Sequence, residues 1–260
     1  MSASIELVVG GPTDFVLALS VARGVPPTSE RLEVKLDGDS IVPYELEDRH
    51  GTRLAGFSSG GGRLTIDYAA TVVGEAPSAV IDPLDAIIYL RPSRYCESDS
   101  LTDFARDVFG GVKGRELVLN VVSWVHNRLT YEPGSTYPTD GAQATLASGQ
   151  GVCRDFAHLT IALLRALDVP ARMVAVYAPG LSPMDFHAVT EVLVDGVWYI
   201  VDSTHLAPRR SMVRIATGRD AADTAFITNT LSDIELVRLE VMAIVDELPF
   251  DDWNELVELS

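Results

Sequence analysis

GQGVCRDFAHLTIALLRALDVP, residues 149–170, is the most informative stretch of this sequence, because it puts a cysteine where a turn meets an apolar helix. The helix that begins near Cys153 must end before Pro170, since proline disfavours helical backbone in the residue before it. At the start of a helix the first N–H groups lack intrahelical partners and carry a partial positive charge. Both features favour a thiolate at Cys153 and stabilise an oxyanion beside it.

The residues downstream predict an antiparallel hairpin. HAVTEVLV (187–194) and VWYIVDS (197–203) read as strands, and Asp195-Gly196 between them is a two-residue turn signal. This turn predicts that paired residue numbers sum to about 391, and His187 and Asp202 miss that sum by only two, which keeps both side chains on one face. We therefore expect His187 and Asp202 to meet across neighbouring strands, as the base and the orienting group that a thiol nucleophile needs.

The rest of the chain predicts an α+β protein. Residues 1 to about 75 contain short apolar runs separated by Gly, Pro, Asp and Ser, a pattern typical of a small antiparallel sandwich. Beyond Pro77 the spacing of apolar residues becomes helical. The pattern predicts helices over 98–110, 114–130 and 141–148, a loop over 131–141, and strands over 171–178 and 234–246.

The order Cys, His, Asp, running from helix to hairpin, resembles the transglutaminase-like superfamily of papain-type enzymes. Five segments are similar to the bacterial branch of that superfamily: YLRPSRYCESD (89–99), GVCRDFAHL (151–159), ALLRALDVPARMVAVYA (162–178), DFHAVTEVLVDGVWYIVDST (185–204) and RIATGRDAAD (214–223). Two positions depart from the pattern. Val189 stands where many relatives have Trp, and Ser203 stands where many have Pro. Neither departure removes a catalytic group, but both bear on the substrate pocket.

The resemblance implies a catalytic triad of Cys153, His187 and Asp202. It also implies a β-sandwich-like N-terminal domain over 1–80, followed by a transglutaminase-like, papain-like core over 81–230 in which a helix packs on antiparallel sheet. A C-terminal strand and an acidic tail over 231–260 complete the predicted organisation.

The chemistry implied is acyl transfer through a thioester on an amide of a peptide or protein. Water as acceptor makes a cysteine protease or amidase, and an amine acceptor makes a true transglutaminase. We expect hydrolysis, because the chain shows no sign of a calcium loop. A non-catalytic binding module that kept the fold is the contrasting hypothesis, although such a module would have no reason to retain all three triad residues.

Several other residues have suitable chemistry but a simpler interpretation. Cys96 has no histidine pattern near it, and His158 lies about 140° around the helix from Cys153, so we expect structural roles for both. We expect His205 at the surface or behind the triad, Asp155 as the cap of the helix and Trp198 in the core. Arg154, Arg219 and Asp220 are expected either to line the cleft or to pair at the surface. A second oxyanion donor is expected from Gln143 or from the 131–139 loop.

Charge and spacing exclude several classes of function. The net charge of −17 repels phosphate backbones and anionic lipid, so neither nucleic acid nor a membrane is an expected partner. The N-terminal residues lack the pattern of a secretory signal, and we expect a cytoplasmic protein. No zinc-ligand spacing and no nucleotide-binding glycine motif occurs, so we expect no metal and no cofactor. The two cysteines do not predict a disulfide framework, and the sequence predicts no particular oligomeric state.

Overall fold

The computed structural model describes residues 1–24 and 26–259, and its architecture confirms the α+β class. The strands are β1 Ser2–Val9, β2 Thr13–Leu17, β3 Ser29–Leu36, β4 Asp39–Ile41, β5 Tyr44–Glu47, β6 Arg53–Ser59, β7 Gly62–Thr71, β8 Thr130–Tyr131, β9 Gln150–Gly151, β10 Ala171–Tyr177, β11 Phe186–Val194, β12 Val197–Val201, β13 Val213–Gly218, β14 Ile227–Thr230 and β15 Ile234–Met242. The α-helices are α1 Asp85–Ile88, α2 Thr102–Phe109, α3 Gly114–Arg128, α4 Ala142–Ser148, α5 Cys153–Ala166 and α6 Ala221–Thr224, and short 3-10 helices cover Arg49–Gly51, Ser98–Leu101 and Arg209–Ser211.

A β-sandwich forms the N-terminal part, as the alternating pattern predicts. Its two sheets have the strand orders β15-β1-β7-β3-β4 and β14-β2-β6-β5. Strand β1 shows why the sequence folds this way, because every second residue from Ala3 to Val9 is buried while the residues between them are partly or fully exposed. These buried side chains fill the space between the two sheets.

The chain returns to this sandwich at its C-terminal end. Strand β15 pairs with β1 along its whole length, with one bulge, and β14 pairs with β2. The pairing therefore crosses both of the domain boundaries expected at residues 80 and 230. The division of the chain at those residues stays a prediction, but the two sheets of the sandwich are completed by β14, which lies before the second boundary, and by β15, which lies beyond it.

Helix α5 lies at the centre of the second lobe. Every residue from Asp155 to Ala166 is buried, and the helix packs against β10 and β11 and against α2, α3 and α4. The sheet of this lobe has the order β12-β11-β10-β13, with all neighbours antiparallel. The register predicted from the Asp195-Gly196 turn is confirmed, because Val194 pairs with Val197 and Thr190 pairs with Val201.

The described residues of the C-terminal acidic tail form no helix and pack on the second lobe. Val257 forms an isolated antiparallel bridge with Ile200 of β12. Arg209 is buried and binds the tail through its guanidinium, which donates to both carboxylate oxygens of Asp251 and to the carbonyls of Asp252 and Glu255. One buried arginine thus fixes the tail against the strand that leads to Asp202.

Candidate active site

Cys153 is the first residue of α5, as the sequence predicts, and its side chain is half-buried. The chain enters the helix through Gly149, which has a left-handed backbone with φ of 70°. The carboxylate of Asp155 closes the helix start by accepting a hydrogen bond from the backbone N–H of Val152 at 2.9 Å. The expected capping role of Asp155 is confirmed, and the thiol sits at the positive end of a buried helix.

His187 and Asp202 meet across β11 and the end of β12. Nε2 of His187 donates to Oδ2 of Asp202 at 2.8 Å, and both side chains are buried. The other carboxylate oxygen of Asp202 accepts from the backbone N–H of Thr204 at 2.8 Å and from its hydroxyl at 2.7 Å. Burial alone would raise the pKa of Asp202, but the charge and hydrogen bond of His187, together with Thr204, lower it.

The surroundings of His187 favour the charged form of its imidazole. Burial opposes the charge, but the negative charge and hydrogen bond of Asp202, followed by the contribution of the Cys153 thiol, raise the pKa of His187 to about 10. Its second nitrogen, Nδ1, is buried and has no hydrogen-bond partner among the described residues. The arrangement leaves Nδ1 as the ring nitrogen that is free to exchange a proton with the neighbouring thiol.

Tyr131 is a further residue beside the nucleophile. The two-residue strand β8 runs parallel to β9, and this pairing sets Tyr131 opposite Gly151, two residues before Cys153. The ring of Tyr131 packs against that of Phe156 at 5.9 Å between centroids. Burial and the charge of Cys153 raise the pKa of Tyr131 to about 12, and the backbone and thiol of Cys153 both interact with its hydroxyl.

The sequence pointed to the 131–139 loop or Gln143 as the source of a second oxyanion donor. Gln143 is exposed on α4, and none of the described hydrogen bonds joins it to Cys153. Tyr131 lies at the first position of the expected loop, but sequence reasoning did not single it out. The available sequence signal for this position was an aromatic residue directly after a β-branched one, where α3 ends.

Cys96 and His158 lie away from the nucleophile in the packed interior. Cys96 is fully buried, and burial raises the pKa of its thiol to about 12, so this cysteine stays protonated at neutral pH. His158 stacks on Tyr95 at 5.2 Å and its Nε2 accepts from the backbone N–H of Ala221. Burial lowers the pKa of His158 to about 4, which keeps the ring neutral in a packing role.

His205 is part of an aromatic stack behind Asp202. Its ring lies between His126, at 4.0 Å, and Trp253, at 4.3 Å between centroids. Burial, and next the charge of His126, lower the pKa of His205 to about 4. Nδ1 of His126 contacts the carbonyl of Ser203 at 3.0 Å, so the stack supports the turn that follows the aspartate.

The remaining charged candidates bind structural partners. Arg154 donates to the carboxylate of Asp155, and Arg219 pairs at the surface with Asp223, four residues further along the chain. Asp220 is buried and accepts from the backbone N–H groups of Tyr95 and Ala222. None of these hydrogen bonds involves a residue of the expected triad.

The two departures from the family pattern lie in packed surroundings, together with Trp198. Val189 is buried in a small apolar cluster on the core sheet. The hydroxyl of Ser203 bonds that of Thr160 on α5 at 2.7 Å, which ties the aspartate turn to the central helix. Trp198 is buried as expected, with the guanidinium of Arg172 at 3.8 Å from its ring.

Residues 1–24 and 26–259 contain neither a candidate metal site nor a candidate membrane span. No group of three or more His, Cys, Asp or Glu side chains is arranged to hold a metal ion. Nor does any helix in this part of the chain have the length and apolar character needed to cross a membrane.

Comparison with known proteins identifies the family. A model of the transglutaminase-like superfamily matches residues 102–203, which include all three residues of the expected triad. The crystal structure of a Cytophaga hutchinsonii protein, provisionally named a cysteine protease, superposes with a TM-score of 0.87 and 33% identity, covering 100% of this chain and 95% of that one. The chain belongs to the bacterial transglutaminase-like superfamily.

Two curated mycobacterial proteins are also similar. An uncharacterized protein of Mycobacterium leprae is 25% identical over 87% of this chain and 91% of its own length. An uncharacterized protein of Mycobacterium tuberculosis is 39% identical over 124 residues, which are 42% of this chain and 39% of that protein.

Proposed function

We propose that this protein is a cysteine hydrolase that cleaves amide bonds in peptides or proteins, with Cys153 as nucleophile, His187 as general base and acid, and Asp202 as the group that orients and charges the imidazole. The observation that carries the proposal is the buried 2.8 Å pair of His187 and Asp202, whose free ring nitrogen adjoins a thiol at a helix start. Membership of the superfamily and the provisional name of the Cytophaga relative support a cysteine enzyme in general terms.

The reaction begins from an ion pair in which Nδ1 of His187 already holds the proton of Cys153 and the sulfur is a thiolate. The thiolate attacks the amide carbonyl, and the oxyanion that forms is stabilised by the backbone N–H of Cys153 and the hydroxyl of Tyr131. His187 then gives its proton to the leaving nitrogen, the C–N bond breaks and a thioester remains. Water attacks the thioester while His187 accepts its proton, and the carboxylic acid leaves as the thiol is restored.

Asp202 acts throughout without changing its own protonation. Its hydrogen bond to Nε2 fixes which nitrogen of His187 faces the thiol, and its charge stabilises the imidazolium. Thr204 holds the carboxylate by two hydrogen bonds, so the aspartate is itself kept in position. The hydroxyl and backbone N–H of Thr204 therefore support the geometry of the triad indirectly, by holding Asp202.

The first test measures thiol reactivity. Cys153 should alkylate with iodoacetamide at pH 6 faster than Cys96, because it adjoins an imidazolium and a helix start while Cys96 is buried. Mass spectrometry of tryptic peptides gives the two rates in one sample. Equal rates in the folded protein, or faster labelling of Cys96, would contradict the assignment of the nucleophile.

The second test measures turnover. A peptide and isopeptide library with mass-spectrometric readout, run with and without a primary amine, separates hydrolysis from amine transfer by the mass of the product. On any substrate found, Cys153→Ser should lower kcat at least about a thousandfold, and adding His187→Ala to it should cost little more, since the residues act as a unit. Circular dichroism of each variant is the folding control. A folded Cys153→Ser variant that keeps its turnover would contradict the mechanism.

A further inference from the structure

One aromatic ring joins the tail segment, residues 246–259, to the loop that follows Asp202. The indole of Trp253 stacks on the imidazole of His205, with 4.3 Å between the ring centroids and 13° between the ring planes. The guanidinium of Arg209 lies 4.9 Å from the centroid of the same indole. Trp253 therefore packs on two side chains of the segment that leads away from the aspartate of the expected triad.

The three residues after Asp202 are each held by a different contact. The carbonyl of Ser203 accepts from Nδ1 of His126 on α3 at 3.0 Å. Thr204 donates twice to the carboxylate of Asp202. His205 has a left-handed backbone with φ of 57°, which a residue other than glycine adopts only where its surroundings hold it.

Stacking is what holds the ring of His205. The imidazole lies between His126, at 4.0 Å, and Trp253, and its buried Nε2 has no hydrogen-bond partner among the described residues. The backbone N–H of His205 donates to the carbonyl of Asp202. The left-handed turn that directs Thr204 at the carboxylate therefore depends on two aromatic neighbours, and one of them comes from the tail segment.

The tail segment reaches this position through an anchor of its own. The side chains of Arg209 and Asp251 are 2% and 3% exposed, and their ion pair is 2.7 Å long. Arg209 also donates to the carbonyls of Asp252 and Glu255. The chain is thus fixed on both sides of Trp253, so the indole meets His205 with little further loss of conformational freedom.

We propose that Trp253 is a positioning residue of the active site, which keeps the carboxylate of Asp202 directed at His187 by holding His205 and, through it, Thr204. Catalytic groups must stay within about 0.5 Å of their productive geometry, so the site is competent only while the tail segment is docked. Trp253 acts through Asp202 and touches neither the thiol nor a substrate. The inference rests on the proposed function, because it concerns the regulation of the same triad.

The position of Asp202 can be measured without turnover. In Trp253→Ala the pKa of His187 should fall by about one unit, because burial favours the neutral ring once Asp202 is displaced. Ring-nitrogen chemical shifts measure this pKa, and iodoacetamide labelling of Cys153 at pH 6 should slow about threefold or more. A residue that only stabilises the fold would lower the melting temperature and leave the pKa of His187 unchanged, and that result would overturn the inference.

Two further variants show whether the stack itself is responsible. Trp253→Phe keeps an aromatic face and should restore at least about half of the lost labelling rate. Phe250→Ala is the matched control, because it removes from the same tail a ring that is 87% exposed, and it should leave both readouts at wild-type values. A loss in Phe250→Ala as large as in Trp253→Ala would overturn the role of the stack. Circular dichroism checks folding, and Trp253→Leu, which keeps apolar bulk, replaces Trp253→Ala with the same expectation if the alanine variant does not fold.

The anchor gives a second and independent route to the same ring. Asp251→Asn removes the counter-charge of the buried Arg209, so it should also slow the labelling of Cys153. Combining it with Trp253→Ala should cost little more than Trp253→Ala alone, since both changes act through one contact. Fully additive losses would overturn this route. Labelling of Cys153 no faster than Cys96 in the wild type would contradict the proposed function first, whereas fast labelling that survives Trp253→Ala overturns only the role of the tail.

Discussion

At the scale of single residues, the site depends on one carboxylate that reverses the effect of burial on an imidazole. His187 is fully buried, and burial alone favours the neutral ring. The charge and hydrogen bond of Asp202 outweigh the effect of burial, and Thr204 holds Asp202 in the position that this requires. In the proposed mechanism, the chemistry of Cys153 therefore rests on a group that never touches the substrate.

The charge on His187 gives a prediction about pH. Its folded pKa lies above the ordinary value of 6.5, at about 10, so its contribution to stability is fully present below pH 6.5 and is lost as pH rises towards 10. In Asp202→Asn the imidazole pKa should fall, and this loss of stability between pH 6.5 and 10 should shrink. Ring-nitrogen chemical shifts from NMR titration measure the pKa directly. An unchanged His187 pKa in Asp202→Asn, with Asp195→Asn as the control, would contradict the account.

A change at Tyr131 provides a test that distinguishes stabilisation of the oxyanion from activation of the nucleophile. Alkylation by iodoacetamide displaces iodide and forms no oxyanion, whereas acylation does. Tyr131→Phe should therefore leave the alkylation rate of Cys153 within about twofold of wild type but lower kcat for acyl transfer by about a hundredfold. KM should change little. If alkylation and acylation fall together, Tyr131 acts on the thiol instead of on the oxyanion.

At the scale of elements, the start of α5 is held by a single side chain. Asp155 is fully buried and accepts from Val152, Thr136 and Arg154, so it joins the helix to the residue that precedes it and to the loop over residues 131–141. Removing it leaves buried donors unpaired as well as the helix uncapped. The position of Cys153 and the position of that loop therefore depend on the same side chain.

Asp155→Ala should lower the free energy of unfolding by about 2–3 kcal/mol, since buried hydrogen bonds to a charged group are lost together with the cap. Urea denaturation followed by circular dichroism measures the change. Asp107→Ala, at an exposed position of α2, is the control and should change stability by less than about 0.5 kcal/mol. A loss no larger than in that control would show that the capping carboxylate is not an anchor.

The helix and strands that hold the expected triad could be predicted because local sequence signals define them. The apolar run after Cys153 predicted α5, and the Asp195-Gly196 turn predicted the register of β11 and β12, from which the meeting of His187 and Asp202 followed. Strand β13 was not predicted, because its pairing with β10 is long-range and its residues show no clear alternation. Tyr131 lies in a strand of two residues, which is too short to leave any periodic signal.

At the scale of the whole molecule, the two lobes share packed residues. Tyr177 from β10 and Ile215 and Ala216 from β13 belong to the same buried cluster as the inner faces of the sandwich. The hydroxyl of Tyr177 donates to the carbonyl of Leu19 at 2.9 Å. The tail adds a further connection through Arg209, whose partner Asp251 lies 42 residues away and could not be predicted from the sequence. The sandwich and the core therefore stabilise each other.

This sharing predicts that residues 1–80 do not fold by themselves. The fragment lacks β14 and β15, so β1 and β2 each lose a neighbouring strand, and the apolar cluster loses Tyr177 and Ile215. A fragment of this length buries only a small core, so the loss of part of that core is strongly destabilising. An uncovered strand edge also promotes aggregation. We expect poorly dispersed amide NMR signals and no cooperative thermal transition from the fragment. Adding residues 81–260 should restore both, since the missing strands and side chains then return. A sharp melting transition in the isolated fragment would show instead that the sandwich is an independent domain with its boundary near residue 80.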